Sequence, residues 1–558
     1  MRRSATCCRP RATGRGRSPP TDRRWRLTSV SHEKIGDVLQ AQGDGAGALA
    51  AYRQALAIDE ALAARDPANT EWQRGLSVSH AKIGDVLRAQ GDGPGALGAY
   101  RQMLAITEAL TARDPANTQW QHDLSVSHLK IGDVLMAQGD GPGALAAYRQ
   151  ALAIHETLAV RDPANTRWQL SLSFSHEKIG DVLRAQGDGP GALGAYRQAL
   201  AIRETLTQHD PTNTDWQGDL SNSHLKSGDV LMAQGDGAGA LDAYRQALTI
   251  AEALTARDPT NTDWRRTLSS SHLKIGDVRM AQGDGAGALD AYRQALTIAE
   301  ALTARDPTNT DWRRDMSNGH LKIGDVRMAQ GDGTGALDAY RQALTIAEAL
   351  IAHDPTNTDW RRILSSSHLK IGDVRMAQGD GAGALDAYRQ ALTIAEALSA
   401  HDPTNTDWRR DMSNGHLKIG DVRMAQGDGT GALDAYRQAL TIAEALTAHD
   451  PTNTDWRRIL SSSHLKIGDV RMAQGDGGGA LDAYRQALTI AEALTAHDPA
   501  NTQWQRDLIV GYMKLGEMTS DRALVLQALQ IVQDMQQRGV LEARDAWMID
   551  ELKRRAGQ

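Results

Sequence analysis

Cysteine is almost missing from this chain. The two present, Cys7 and Cys8, are adjacent and lie in the N-terminal tail, so no disulfide or cysteine–metal framework holds the body of the protein together. Aromatic residues make up only 4%, and phenylalanine occurs once, as Phe174. No run of 18 apolar residues occurs, which excludes a membrane-spanning helix. The basic N-terminus is not followed by an apolar stretch, so a secretory leader is not expected and the expected location is the cytoplasm. Positive charge is also confined. Residues 1–26 hold nine Arg against one acid, Asp22, a net +8, which leaves −15 for the remainder of a chain whose total is −7. A body this acidic lacks the basic stripe that nucleic acid demands. The GxSxG, HExxH, CxxC and kinase signatures are all missing, so the usual hydrolase, metalloprotease, redox and kinase chemistries have no carrier here.

What the chain does have is a period. Ile-Gly-Asp-Val begins at Ile35, Ile83, Ile131 and Ile179, then at Ile275, Ile323, Ile371, Ile419 and Ile467. Ser227 fills the slot in the fifth copy, and Leu515-Gly516-Glu517-Met518 is a degraded eleventh. A fixed period of 48 residues means a stack of units, each burying its apolar face only against its neighbours. This overrides the three or four globular domains that 558 residues otherwise suggest. It also points away from an enzyme, because catalysis needs unlike groups converging on one point and a stack offers the same groups repeatedly. Ala, Leu, Gln and Arg dominate the copies and favour helix.

The copy from Asn261 to Asp306 shows the local logic. Asn261 and Thr262 are good N-cap residues, with Asp263 beside the positive helix end. Trp264, Leu268, His272, Ile275, Val278 and Ala281 follow at steps of three and four, one face of a helix. Gly283-Asp284 breaks that pattern, and Asp284 caps a second helix whose face reads Ala288, Leu289, Tyr292, Ala295, Leu296, Ala299 and Leu302. Asp306-Pro307 ends it. Each copy is thus expected to be a hairpin of two helices of about 20 residues, about 30 Å long. Gly276, inside the first helix, costs about 1 kcal/mol relative to Ala; its recurrence implies a close approach, for which Ala288 or Ala295 is the expected contact. The recurrent Trp is expected at the junction between copies, where enclosing about 150–250 Å² contributes a gross 4–6 kcal/mol at about 25 cal/mol/Å².

Gly276, Gly283-Asp284, Ala288, Tyr292, Ala295 and Leu296 stand at a spacing that resembles the tetratricopeptide repeat (TPR). The resemblance covers about residues 25–535, and His272 falls where that family usually places a large apolar residue. The usual unit has 34 residues, and the 14 added here extend both helices by about two turns. The chain therefore looks like the long-helix TPR arrays of kinesin light chains and of bacterial signalling proteins. The resemblance implies an all-α fold, a TPR superhelix or α-solenoid of ten to eleven hairpins. It spans residues 24–535, after a disordered basic tail (1–23) and before a C-terminal capping helix (536–558). It further implies a non-catalytic scaffold binding a protein or peptide in its concave groove. A sensor or regulatory arm, with its effector on another chain or lost, is the second reading.

In that family the first helix lines the groove. By position the groove candidates are Val78, Lys82, Asp85, Val126, Lys130, Asp133, Met136, Phe174, Lys178, Asp181, Lys274, Asp277 and Met280. The Lys and Asp read either as solvated pairs between neighbours or as a grip on peptide backbone and charged side chains. The Met residues read either as an adaptable apolar stripe or as packing between copies. The His ladder from His32 to His464 has its members about 10 Å apart, too far to share a metal ion, so it reads as structural. Gly283-Asp284-Gly285-Ala286-Gly287 lacks the preceding strand and the Lys-Ser/Thr of a phosphate loop and the ligand spacing of a calcium loop, so it reads as a turn. No metal, cofactor, nucleic acid or membrane partner is expected. In the later copies Asp242 and its equivalents appear with Arg279 and its equivalents, which suggests a salt bridge from one hairpin to the next.

Overall fold

The computed structural model describes residues 20–541 and 545–557. They form an α-solenoid of paired helical hairpins, with no strand among the described residues. Contacts cluster into two units, residues 1–278 and 279–558. The first holds α1 (Pro20–Ala41), α2 (Gly45–Arg65), α3 (Thr70–Ala89), α4 (Gly93–Arg113), α5 (Thr118–Ala137), α6 (Gly141–Arg161), α7 (Thr166–Ala185), α8 (Gly189–His209), α9 (Thr214–Ala233), α10 (Gly237–Arg257) and most of α11 (Thr262–Ala281). The second continues with α12 (Gly285–Arg305), α13 (Thr310–Ala329), α14 (Gly333–His353), α15 (Thr358–Ala377), α16 (Gly381–His401), α17 (Thr406–Ala425), α18 (Gly429–His449), α19 (Thr454–Ala473), α20 (Gly477–His497), α21 (Thr502–Thr519), α22 (Arg522–Gln537) and α23 (Trp547–Ala556).

The local signals act as the sequence suggests. Asn117 caps α5 by accepting from the Gln119 and Trp120 amides, and Asp92 caps α4 by accepting from Gly95 N at 2.9 Å. Each satisfies amides that a helix start leaves orphaned. Between the two helices of a hairpin stands one glycine in the left-handed region, such as Gly91 at φ +81° and Gly283 at φ +78°, where a Cβ is strained. In the degraded eleventh copy Ser520 takes this role at φ 54°. Residues 1–19 of the tail read as disordered lie outside the described residues. Residues 20–23 form the first turn of α1, which starts at a proline, a residue suited to that position. Trp25 lies 47 residues before Trp72, one short of the period. A one-residue slip rotates a helical side chain by about 100°, and Trp25 is 46% exposed where Trp72 is 8% exposed. At the other end α23 buries Met548, Ile549, Leu552 and Ala556 against Ile509, Val525 and Val532.

The core lies inside and between hairpins. Trp168, at the start of α7, packs on Leu158 and Ala159 of the preceding hairpin, so this Trp is a junction residue. In the second unit His353 meets Trp360 edge-on at 6.2 Å, and His449 meets Trp456 likewise. The recurrent helical glycine does not face alanine. A Cβ on Gly84 would stand 2.4 Å from Cε1 of Tyr100, and Gly36, Gly132, Gly180, Gly228, Gly324, Gly372, Gly420 and Gly468 face their own tyrosines in the same way. The expected alanine contact is therefore corrected: the close approach is made by an aromatic ring, whose flat face needs a wall without side chain. We expect Gly84→Ala to destabilise by about 1–3 kcal/mol through overpacking, despite a helix-propensity gain of up to about 1 kcal/mol. Urea denaturation checks this; an unchanged midpoint would show that the ring relaxes freely.

Candidate functional site

The first helix of each hairpin sets groove positions four and three residues apart, as Phe174, Lys178 and Asp181, so they share one face. Phe174 and Val78 are exposed, at 40% and 36%. Val126, Met136, Lys82, Asp85, Lys130, Asp133, Lys178, Asp181, Lys274, Asp277 and Met280 are half-buried.

The charged positions are tied into rungs. Tyr100 Oη donates to Asp85 Oδ1 at 2.7 Å, and Lys130 Nζ, from the following hairpin, donates to the same oxygen at 2.6 Å. The rung recurs as Tyr52, Asp37 and Lys82 (2.9 and 2.9 Å), as Tyr148, Asp133 and Lys178 (2.7 and 2.8 Å) and as Tyr196, Asp181 and Lys226 (2.7 and 2.8 Å). Lys274 Nζ likewise lies 2.8 Å from Asp229. In the second unit Lys418 and Lys466 reach Asp373 and Asp421 at 2.8 and 2.6 Å. Each lysine thus pairs with the Asp 45 residues before it and links two hairpins. Burial pushes the Asp37 carboxyl up, but Lys82 and Tyr52 outweigh it and hold the pKa below its ordinary value. Burial and the bond to Asp85 push the Tyr100 phenol far up, so it is a permanent donor and not an acid. A half-exposed ion pair alone contributes about 0–1 kcal/mol. The buried tyrosine bonding a carboxylate is worth about 1.5–3 kcal/mol and gives the rung its strength.

Apolar side chains stand beside the rungs. Lys178 Nζ stands 5.2 Å from the Phe174 ring centre, close enough for a cation–π contact. In the second unit Met328 and Met376 line an open cavity of 660 Å³ together with Asp373, Lys370 and Lys418. These Met side chains also pack against the neighbouring cores.

Among the described residues of the second unit, the salt bridge expected between later copies does not form. Arg375, Arg423 and Arg471 instead donate to the Gly383, Gly431 and Gly479 carbonyls at the start of their own second helices, at 2.9, 2.8 and 3.0 Å. Asp242 and Asp434 lie 3.9 and 4.0 Å from Arg245 and Arg437, one turn along the same helix. An exposed carboxylate gains as much from a neighbour on its own helix, at less entropy cost. Among the described residues no group of three His, Cys, Asp or Glu is placed to hold a metal.

Sequence reasoning missed a second column. At one second-helix position Asp59, Thr107, His155 and Arg203 are buried in succession, and every later copy through Ala491 has Ala there. Each polar member bonds a serine of the next hairpin: Ser79 to Asp59 (2.7 Å), Ser127 to Thr107 (3.1 Å), Ser175 to His155 (2.8 Å) and Ser223 to Arg203. The signal was available as four unlike polar residues in a slot otherwise filled by Ala.

Residues 129–164 and 177–211 match a family model described as tetratricopeptide repeat. No curated protein matches the chain. Among solved structures it is similar to BtubC (BKLC) from P. vanneervenii, at 19% identity over 47% of this chain and 93% of that one, TM-score 0.37. It is also similar to the apo form of RapI, at 12% identity over 77% and 99%, TM-score 0.49. A third is a signal transduction ATPase with a tetratricopeptide repeat sensor from Pyrococcus horikoshii, at 11% identity over 72% and 53%, TM-score 0.40.

Proposed function

We propose, from the premise that this chain belongs to the tetratricopeptide repeat family, that it is a non-catalytic scaffold holding a protein or peptide partner along the face of its first helices. The observation that carries the reading is that the Tyr–Asp–Lys rungs stand beside apolar side chains, exposed at Val78 and Phe174 and half-buried at Val126 in the first unit, with Met328 and Met376 lining a cavity in the second. The rungs hold their charges in fixed positions, so a bound segment meets a pre-organised surface and loses less free energy to ordering. The exposed apolar residues supply contact area, and the Met side chains adapt to it. The acidic balance of the body supports a protein partner over nucleic acid.

The lysines are poor test positions, because each ties two hairpins together. The better variant is Val78→Glu, Val126→Glu and Phe174→Glu combined, which leaves every rung intact. Affinity capture from source-cell lysate with wild type and variant, matched by circular dichroism, checks the reading. A partner held by wild type and reduced at least tenfold with the folded variant supports it. A partner held equally by both places binding elsewhere.

A further inference from the structure

Between the first two hairpins of the first unit lies a cavity of 250 Å³ whose charged lining is Arg26, Glu33, Asp59, Glu71 and Arg74, with Gly75 beside them. Its floor is acidic. Asp59 is 5% exposed and accepts from Ser29 Oγ and Ser79 Oγ, both at 2.7 Å. No salt bridge among those of the described residues reaches Asp59 or Glu33. The two arginines of the lining are already paired, Arg26 with Glu71 of the same lining at 2.9 Å and Arg74 with Asp123 at 2.7 Å, and Lys82 is held by Asp37 at 2.9 Å. Burial, then Asp59, then Asp37 push the Glu33 carboxyl above its ordinary value, outweighing the opposite pull of Lys82 and Lys34.

Three periods later the chain shows what belongs in such a place. Glu177 stands where Glu33 does, Ser223 where Ser79 does, and Asp219 where Gly75 does; Arg203 replaces Asp59. The Arg203 guanidinium is 3% exposed. It pairs with Glu177, donates to Ser223 Oγ and donates to the Asp219 carbonyl at 3.2 Å. Burial pushes Glu177 up, but Arg203 and Lys226 outweigh it and hold its pKa low. The junction of the first two hairpins therefore keeps the glutamate, the serine and the backbone carbonyl that cradle a guanidinium. It has lost the arginine, added a second carboxylate, and cleared space by having glycine at position 75.

The geometry points to this cavity as a receptor for the guanidinium of an arginine side chain presented by a partner, with Glu33 and Asp59 as counter-charges. Planar guanidinium suits it because two carboxylates and a carbonyl accept from several directions, which a fork of five donors satisfies and a point charge does not. This goes beyond the groove reading and does not need it.

The test is calorimetric titration of the full chain at low salt with N-acetyl-arginine amide, its neutral citrulline analogue and N-acetyl-lysine amide. Saturable binding of the arginine compound is expected, with none of the citrulline compound and weaker binding of lysine. Asp59→Asn should weaken binding at least tenfold. Gly75→Ile should abolish it by filling the space, and is compatible with the fold because Ile363 and Ile459 occupy the same position in later copies. Asp59→Arg should abolish it by supplying the guanidinium internally. Val126→Glu and Phe174→Glu, outside the cavity, should leave it unchanged, so failure of this site and of the groove are distinguishable. Absence of saturable binding, equal binding of citrulline, tighter binding of lysine, or unaltered binding by Gly75→Ile would overturn the assignment.

Discussion

Tyr148→Ala is expected to destabilise the protein by about 3–5 kcal/mol, the range for removing a buried aromatic ring. Tyr148 is 2% exposed and packs with Ala144, Ile179 and Val182. Its ring lies against Gly132, where an added Cβ would stand 2.5 Å away. The cavity left behind therefore has a bare backbone on one wall and alanine on another, and neither side chain is able to swing in and fill it. Tyr148→Phe isolates the hydroxyl and should cost about 1–3 kcal/mol, because Asp133 keeps Lys178 at 2.8 Å while losing its neutral donor. A stack of hairpins is stabilised mainly by nearest neighbours. The loss should consequently appear as local opening of α5, α6 and α7 before the chain as a whole unfolds. Native-state hydrogen exchange read residue by residue, alongside urea denaturation, checks both claims. Equal costs for the two substitutions would show that the hydroxyl, not ring packing, dominates the rung.

The fold was legible in the sequence because the period repeats each signal about ten times. The caps at Asn117 and Asp92, the turn at Gly283 and the stop at Asp306-Pro307 are local, and each has one physical reading. The contact of Gly84 was not legible at the same level. Helical spacing places Tyr100 and the alanines on adjoining stripes of the second helix, and only the crossing of the two helices decides which meets the glycine. The rungs were half legible. Lys178 and Asp181 lie on one face by spacing, but their partners sit 45 residues before and 45 after in sequence, which depends on how hairpins stack. The Asp–Arg bridge expected between later copies failed within the second unit for a related reason: covariation between near-copies reports duplication as readily as contact. The column of Asp59, Thr107, His155 and Arg203 was visible as an exception to the repeat. Such exceptions are where a periodic chain carries individual information.

That column makes the first unit sensitive to acid. His155 is fully buried, held between Ser125 Oγ at 2.7 Å from Nε2 and Ser175 Oγ at 2.8 Å from Nδ1. Burial first, and then His122, push its pKa down to about 4 from an ordinary 6.5. The folded pKa lies below the unfolded one, so the unfolded chain takes up the proton first as pH falls. The stability due to neutral His155 is fully present above about pH 6.5 and is lost progressively as pH falls to about 4. At about 1.4 kcal/mol per pKa unit, the loss is about 2 kcal/mol at pH 5. His80, His128, His176, His224, His320, His416 and His464 are pushed down as well, each chiefly by burial, so the array weakens in the same direction. His155→Ala separates one contribution from the rest. Where a later copy has Ala251 in this slot, Ser221 Oγ turns instead to the Ala247 carbonyl at 3.0 Å, and Ser125 has the equivalent Ala151 carbonyl available. We therefore expect the substitution to be tolerated at pH 7.5 and to reduce the difference in unfolding free energy between pH 7.5 and pH 5 by about 2 kcal/mol. Urea titrations of both proteins at the two pH values measure it. A pH dependence identical to that of wild type would mean that His155 becomes charged inside the folded chain, with its two serines as sufficient acceptors.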